Sequence, residues 1–470
     1  MDRLDEILES YRGEMLETLR ELVRIPSVDG EPLPGKPFGE PCARALDYAL
    51  DKAKSFGFET LNDEYYAGHA AYGDGKRTLG ILAHLDVVPE GDDWTVPPYE
   101  AVVKDGFLYG RGSTDNKNSC VSCLYALRAV KEAGIPLRDR VLLIMGCNEE
   151  KGSADMAHYM KHVGMPDYGF SPDSGFPVCY AEKGIHRVQL NAAFDGDSPI
   201  VSITAGNAVN IVPNRCKATV KGCAKCAQRI EKRAQELDIP CTVTVRGDGL
   251  LDVAVEGVAS HGAHPEGGRN AAVLMLQVLS ALELGGARRS LDFLLNVLGP
   301  GKWDGSGLNV RLSDEPSGPL TVNLGILRID AAGVMVQLDI RQPVTVSFDE
   351  VLGNIRAVCA PCGVSAGSIS RSDPLYQPID GELVSTLMKV YRDVTGRDDA
   401  PFSMGGGTYA RSMKNAVAFG PSLPGSKSQG CHGPDERLYI EELYTAARIY
   451  AHTIVALAGA QRILLALRGG

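Results

Sequence analysis

The stretch TLGILAHLDVV, Thr78–Val88, is a nearly continuous apolar run that carries one histidine and one aspartate. A strand buried on one face alternates apolar and polar residues. This run does not, so it predicts a strand covered on both faces. VLLIMG, Val141–Gly146, has the same character. Between the two, Asn116–Ala133 has helical spacing and stops at Gly134. Strands alternating with helices predict an α/β layered domain with a mainly parallel core.

Upstream, Leu4, Ile7, Leu8, Met15, Leu16 and Leu19 give residues 1–25 the face of an amphipathic helix ending at Pro26. A second helix is expected over Glu40–Gly57. The rhythm changes near His186, where the elements shorten. Leu320–Ile329 and Val334–Arg341 flank the turn Asp330–Gly333 and read as a hairpin, and Ser347-Phe-Asp-Glu350 is a capping-box pattern opening a helix. After Pro378 the longer period returns, with a helix over Gly381–Thr395, a short strand over Ala416–Gly420 and terminal helices over Ile440–Leu467. The expected organisation is an α/β domain of residues 1–186 and 374–470, interrupted by an α+β domain of residues 187–373.

Of the 470 residues, 44% are hydrophobic and 23% charged, which excludes wholesale disorder. The formal charge of −11 argues against a nucleic-acid partner, which needs a basic face. No apolar run approaches the ~20 residues of a membrane span. The opening MDRLDEILES has no apolar signal core, so a cytoplasmic protein is expected. The 12 cysteines include three C-x-x-C pairs, Cys120/Cys123, Cys223/Cys226 and Cys359/Cys362. Their separations are too long for one four-thiolate zinc site, so they read as buried or incidental thiols.

Acidic residues and histidines recur just after the apolar strands. His84 and Asp86 close the first, Glu149 and Glu150 follow the second, Asp173 follows YGFSP, and His432 lies beyond AVAFG. Asp115 stands where a glycine-rich loop enters a helix. Singly, each has a plain explanation: a surface histidine, or a glutamate pair complementing a helix start. Together they converge on the carboxyl edge of one sheet, where ligand crevices form, as donors suited to divalent metals.

The motifs His84-Leu-Asp86-Val-Val-Pro, Tyr109-Gly-Arg-Gly112 with Asp115, Glu149-Glu150 and Ser171-Pro-Asp173-Ser occur with Ser260-His261-Gly-Ala-His264 and Cys431-His432-Gly-Pro-Asp-Glu436. In that order, over essentially the whole chain, they resemble the zinc aminopeptidase/deacylase family. That family includes carboxypeptidase G, acetylornithine deacetylase, succinyl-diaminopimelate desuccinylase, carnosinase and the PepV-type dipeptidases. The long insertion and the segments around Asn210, Arg341 and Gly405–Gly407 resemble the PepV-type branch.

The resemblance implies a zinc-peptidase catalytic domain with an inserted lid, cleaving dipeptides or, alternatively, N-acyl amino acids. It implies about two zinc ions per chain, with manganese or cobalt acceptable to the same donors. Asp115 would bridge them, His84 and Asp173 completing one metal and Glu150 and His432 the other. Asp86 would orient His84, and Glu149 would be the general base for a water bridging the metals. His261, ahead of its neighbour His264, would stabilise the oxyanion. Asn210, Arg341 and the backbone of Gly405, Gly406 and Gly407 would bind the substrate, Arg341 by a two-pronged grip on its carboxylate. In the family the peptide bond after the bridging Asp is typically cis. The text that follows here, Asn116-Lys117-Asn118, departs from the common pattern, and Cys431 is an extra soft donor beside His432. The expected partner is a small peptide, with neither nucleic acid nor membrane, and the chain is expected to act as a monomer.

Overall fold

The computed structural model describes residues 3–460. The part of the expected terminal helices beyond Ala460 lies outside the described residues. The chain divides into two compact units, one comprising Met1–Tyr180, Leu375–Phe402 and Gly407–Gly470, the other Ala181–Pro374 and Ser403–Gly406. The first crossing comes before His186 because Gly184–Ala193 is already a strand of the second unit's sheet.

The first unit is mixed α/β. Its sheet runs in the order Glu59–Asp63, Ala67–Tyr72, Arg140–Gly146, Thr78–His84, Tyr168–Ser171, Ala416–Ala418, Cys179–Glu182 and Leu375–Tyr376. The four strands from Arg140–Gly146 to Ala416–Ala418 are mutually parallel. The pairings of Glu59–Asp63 with Ala67–Tyr72, and of the latter with Arg140–Gly146, are antiparallel. Leu79, Ile81 and Leu82 are fully buried, which explains the unbroken apolar run. Each such side chain withdrawn from water contributes about 1.5–3 kcal/mol. The strand stops at His84, short of Val88. Beyond it the Leu85 N–H still donates to the Gly146 carbonyl at 2.9 Å, and Val87 forms an isolated bridge with Val28.

The N-terminal amphipathic segment forms two helices, Arg3–Ser10 and Arg12–Val23, separated at Tyr11. Helices Lys117–Glu132 and Ile440–Ala458 pack on each other and bring Leu124, Leu127, Ile449 and Ile454 into the core. Cys120 and Cys123 are buried in the first of these. Among the described residues no helix is long and apolar enough to cross a membrane.

The second unit is built on eight strands, all paired antiparallel. Thr321–Ile329 and Gly333–Gln342 form its central hairpin. Helices Ala224–Glu236, Ala271–Leu279, Arg288–Leu298 and Phe348–Cys359 complete its apolar core. Ser347 occupies the N-cap of the last, yet its hydroxyl makes no capping hydrogen bond. The sequence pattern locates the helix start but not the bond.

Candidate active site

Four parallel strands deliver their carboxyl ends to one edge of the first unit. His84 is the last residue of its strand, and Glu149 and Glu150 follow Arg140–Gly146 through Cys147 and Asn148. Asp173 follows Tyr168–Ser171, and the chain after Ala416–Ala418 leads to His432. Asp115 lies just before helix Lys117–Glu132, and the Asp115–Asn116 bond is cis.

Asp115 sits between the two histidines. Its Oδ1 is 3.0 Å from His84 Nε2, and its Oδ2 is 3.0 Å from His432 Nε2. His84 Nε2 is also 3.8 Å from Asp173 Oδ2, and His432 Nε2 is 3.1 Å from Glu150 Oε1. Donor atoms of His84, Asp115 and Asp173 lie within 4.8 Å of one another, as do those of Asp115, Cys431 and His432. Cys431 Sγ is 3.1 Å from Asp115 Oδ2, so the extra soft donor does reach the cluster.

Burial and charge are severe here. Burial opposes protonation of His84, but Asp173 and Asp115 outweigh it and hold the imidazole's proton affinity well above normal. Asp115 resists burial through the same contacts, and hydrogen bonds from His432 and His84 keep its carboxyl far below the usual range. His432 is pushed far upward by Asp115, Cys431 and Glu150. Burial raises Glu149 well above an ordinary glutamate, and Asp173 adds to the shift. Burial likewise raises Glu150 and Asp173, and lifts the Cys431 thiol to about 12. Asp86, Asp115, Glu149, Glu150 and Asp173 thus crowd around two imidazoles. That excess of buried negative charge, on nitrogen and oxygen donors at these separations, fits divalent cations.

Asp86 does more than the sequence suggests. Its backbone carbonyl, 3.0 Å away, meets His84 Nδ1, and its carboxylate lies 3.4 Å from the same nitrogen. The carboxylate oxygens accept the backbone N–H groups of Glu149 and Glu150, each at 3.1 Å. Asp155 holds the same loop from behind, accepting from the N–H groups of Cys147 and Asn148 at 2.6 and 2.8 Å and from the Tyr409 hydroxyl. Gly146 makes room for this, since a Cβ there would lie 2.4 Å from Asp155 Oδ2.

Glu436 and Asn116 brace the loops around these residues. Glu436, 1% exposed, accepts from Arg111 Nη1 and from Gly112, Thr114 and Asp115 N–H groups, as well as from the Thr114 hydroxyl. It ties the His432 loop to the Asp115 loop. Asn116 donates to Asp173 Oδ1, Pro172 O and Ser119 Oγ, and its Oδ1 accepts from His84 N–H. Only the fully buried Arg111 at hydrogen-bonding range would have flagged Glu436. That proximity is invisible across more than three hundred residues of sequence.

The remaining candidates belong to the second unit, apart from Gly407. His261 is exposed, and its Nδ1 accepts the N–H of Ala263 at 3.2 Å, which leaves Nε2 as the donor of the neutral ring. The Asn210 carbonyl accepts from Gly262 N–H at 2.7 Å. His264 points to Glu266, 3.4 Å away. Arg341 is buried and already engaged: Nε and Nη2 donate to Asp339 Oδ2 at 3.0 and 2.9 Å, and Nη1 donates to the Gly405 carbonyl. A Cβ on Gly405 would meet Ala263 at 2.8 Å, whereas one on Gly406 would meet Met404 Sδ at 4.0 Å. Gly407, in the first unit, lies against Arg411: a Cβ there would come within 2.4 Å of its guanidinium.

Histidines and carboxylates gathered at the carboxyl edge of a parallel sheet, with an acid pair alongside, define the class of metal-dependent hydrolases. The sequence profile of Peptidase family M20/M25/M40 matches residues 80–456, and the chain belongs to that family. It is a hydrolase acting on peptide bonds. "Putative dipeptidase YtjP" of Bacillus subtilis is 35% identical over 461 residues, spanning 95% of this chain and 98% of the relative. Human carnosine dipeptidase 1 shares the fold, with a TM-score of 0.58 at 15% identity over 97% of this chain and 98% of that one. So does the Bacillus subtilis YxeP protein, described as a dinuclear metal binding peptidase of the M20 family. Its TM-score is 0.50 at 11% identity, over 95% of this chain and 98% of that one.

Proposed function

We propose that the protein is a dipeptidase holding about two zinc ions per chain, with manganese or cobalt as acceptable substitutes. The observation that supports this most is Asp115, whose two oxygens each lie 3.0 Å from a different histidine. His84 and Asp173 would hold one ion with it, and Glu150 and His432 the other. Bound there, the ions make water nucleophilic near neutral pH and polarise the scissile carbonyl.

Glu149 takes the proton from the attacking water and returns it to the leaving amine. Its burial favours holding that proton between the two events. Asp86 fixes Glu149 and Glu150 through their N–H groups. His261 donates from Nε2 to the oxyanion. Arg341 has five N–H donors, of which Asp339 and Gly405 take three. The other two serve the substrate carboxylate, together with Asn210 and the backbone of Gly405–Gly407. The free thiols of all 12 cysteines suit a reducing compartment, so we place the enzyme in the cytoplasm.

Leaving a charged group of enzyme or substrate unpaired costs several kcal/mol, so blocked ends weaken binding. The test compares kcat/KM for a dipeptide, its amide, its N-acetyl form, a tripeptide and an N-acyl amino acid. The free dipeptide is expected to lead by about tenfold or more. An N-acyl amino acid leading by that margin would replace the dipeptidase with a deacylase.

A further inference from the structure

Away from the residues discussed so far, the first unit gathers a second set of metal-type donors. His158 and His162 are four residues apart on helix Ala154–His162, so both rings project from one face. Asp63 ends strand Glu59–Asp63, and Glu64 opens the tight turn into Ala67–Tyr72. His158 Nε2 is 3.2 Å from Glu64 Oε2 and 3.6 Å from Asp63 Oδ2, and His162 Nδ1 is 3.6 Å from Asp63 Oδ1. One donor atom from each of Asp63, His158 and His162 lies within 4.8 Å of the other two.

Two observations separate this cluster from an ordinary surface ion-pair group. Asp63 is only 9% exposed, and both its Oδ2 and His158 Nε2 are buried atoms that lack a hydrogen-bond partner. Buried polar atoms without a hydrogen bond are uncommon in folded proteins. The separations are also informative. Bonds of ~2.0–2.1 Å to a tetrahedral ion put neighbouring donors about 3.3–3.4 Å apart. The measured 3.2 and 3.6 Å bracket that spacing, and 3.6 Å is too long for a hydrogen bond. The His158 ring is held in place by Tyr66, stacked 3.8 Å away at 6°.

We propose that Asp63, Glu64, His158 and His162 form a structural site for one borderline divalent cation, zinc by donor set. Two imidazoles with two carboxylates suit Zn²⁺ and exclude the all-oxygen preference of Ca²⁺ and Mg²⁺. The site shares no residue with the candidate active site. An ion there would clamp the end of the helix that follows the Glu149–Glu150 loop onto the turn after Asp63, and would stabilise the folded chain by mass action.

The test uses the full chain stripped with chelator and titrated with Zn²⁺ alone, in an Asp115→Asn background that weakens the active-site cluster. Bound zinc is counted by elemental analysis after dialysis and thermal unfolding is followed with and without metal. Zinc is expected to raise the melting temperature of Asp115→Asn and to remain bound at about one ion per chain through this cluster. Adding His162→Ala should remove both the ion and the shift. His162 is exposed, so that variant should fold, and Asp63→Asn provides an independent second removal. In the chain with an intact Asp115, His162→Ala should keep its peptidase activity while binding about one ion fewer. Equal zinc counts and equal melting shifts with and without His162→Ala would overturn the proposal and leave the cluster as an ion-pair group.

Discussion

Replacing Glu436 by glutamine should unsettle the candidate active site from behind without touching any candidate ligand. Glu436 and Arg111 are each 1% exposed and 2.8 Å apart. Removing the carboxylate charge leaves a buried guanidinium uncompensated, a change that costs about 3–5 kcal/mol. The amide adds to this. One Glu436 oxygen accepts from Arg111 Nη1 and Gly112 N–H, the other from Thr114 N–H, the Thr114 hydroxyl and Asp115 N–H. Whichever way the new NH₂ faces, at least two donors meet a donor. These losses overlap, so we expect about 3–5 kcal/mol in all, a large share of a domain's net stability.

The assay is chemical unfolding of chelated protein in a Trp303→Phe background. The remaining tryptophan, Trp94, lies over the Arg111 guanidinium at 5.2 Å and reports this region. Metal occupancy is measured in parallel, because the loop carrying Asp115 loosens. Adding Arg111→Met should recover about half of the loss or more, since no buried charge is then left alone. A Glu436→Gln chain within about 0.5 kcal/mol of its parent, at unchanged metal occupancy, would refute the reasoning.

Glu149→Gln should leave metal content intact and lower kcat by about 10²–10⁴-fold, whereas Glu150→Ala should lower metal occupancy; elemental analysis beside kinetics checks both, and exchanged phenotypes would reverse the roles. His69 is buried and its pKa is lowered to about 4, by burial first and then by Arg140. The unfolded chain takes up that proton near pH 6.5 and the native chain does not until about pH 4, so stability should fall by about 3 kcal/mol as pH drops through that window. His69→Gln should flatten that slope in unfolding curves taken from pH 7 to pH 4. If each chain completes its own site, mixing His261→Ala chains with Glu149→Ala chains should restore no peptidase activity. Recovered activity would instead show a site shared between chains.

The α/β class and the positions of the candidate ligands were legible in the sequence because both depend on local order. A strand buried on both faces must be apolar throughout, as Thr78–His84 is, and a parallel sheet presents whatever follows its strands at one edge. His84, Glu149, Glu150, Asp173 and His432 needed no more than that, and Asp115 is marked instead by the glycine-rich loop that enters a helix. What surrounds them came from contacts between distant segments. Asp86 turning its carboxylate to the Glu149 and Glu150 N–H groups, Glu436 closing on Arg111, and Arg341 reaching the Gly405 carbonyl are choices among many available partners. Asp63 and His158, a hairpin end and a helix, likewise meet only in the folded chain. Periodicity reports which face of an element is buried. It carries no information about which polar atom, scores or hundreds of residues away, arrives to satisfy another, because that pairing is decided by packing and by the cost of leaving a buried charge alone.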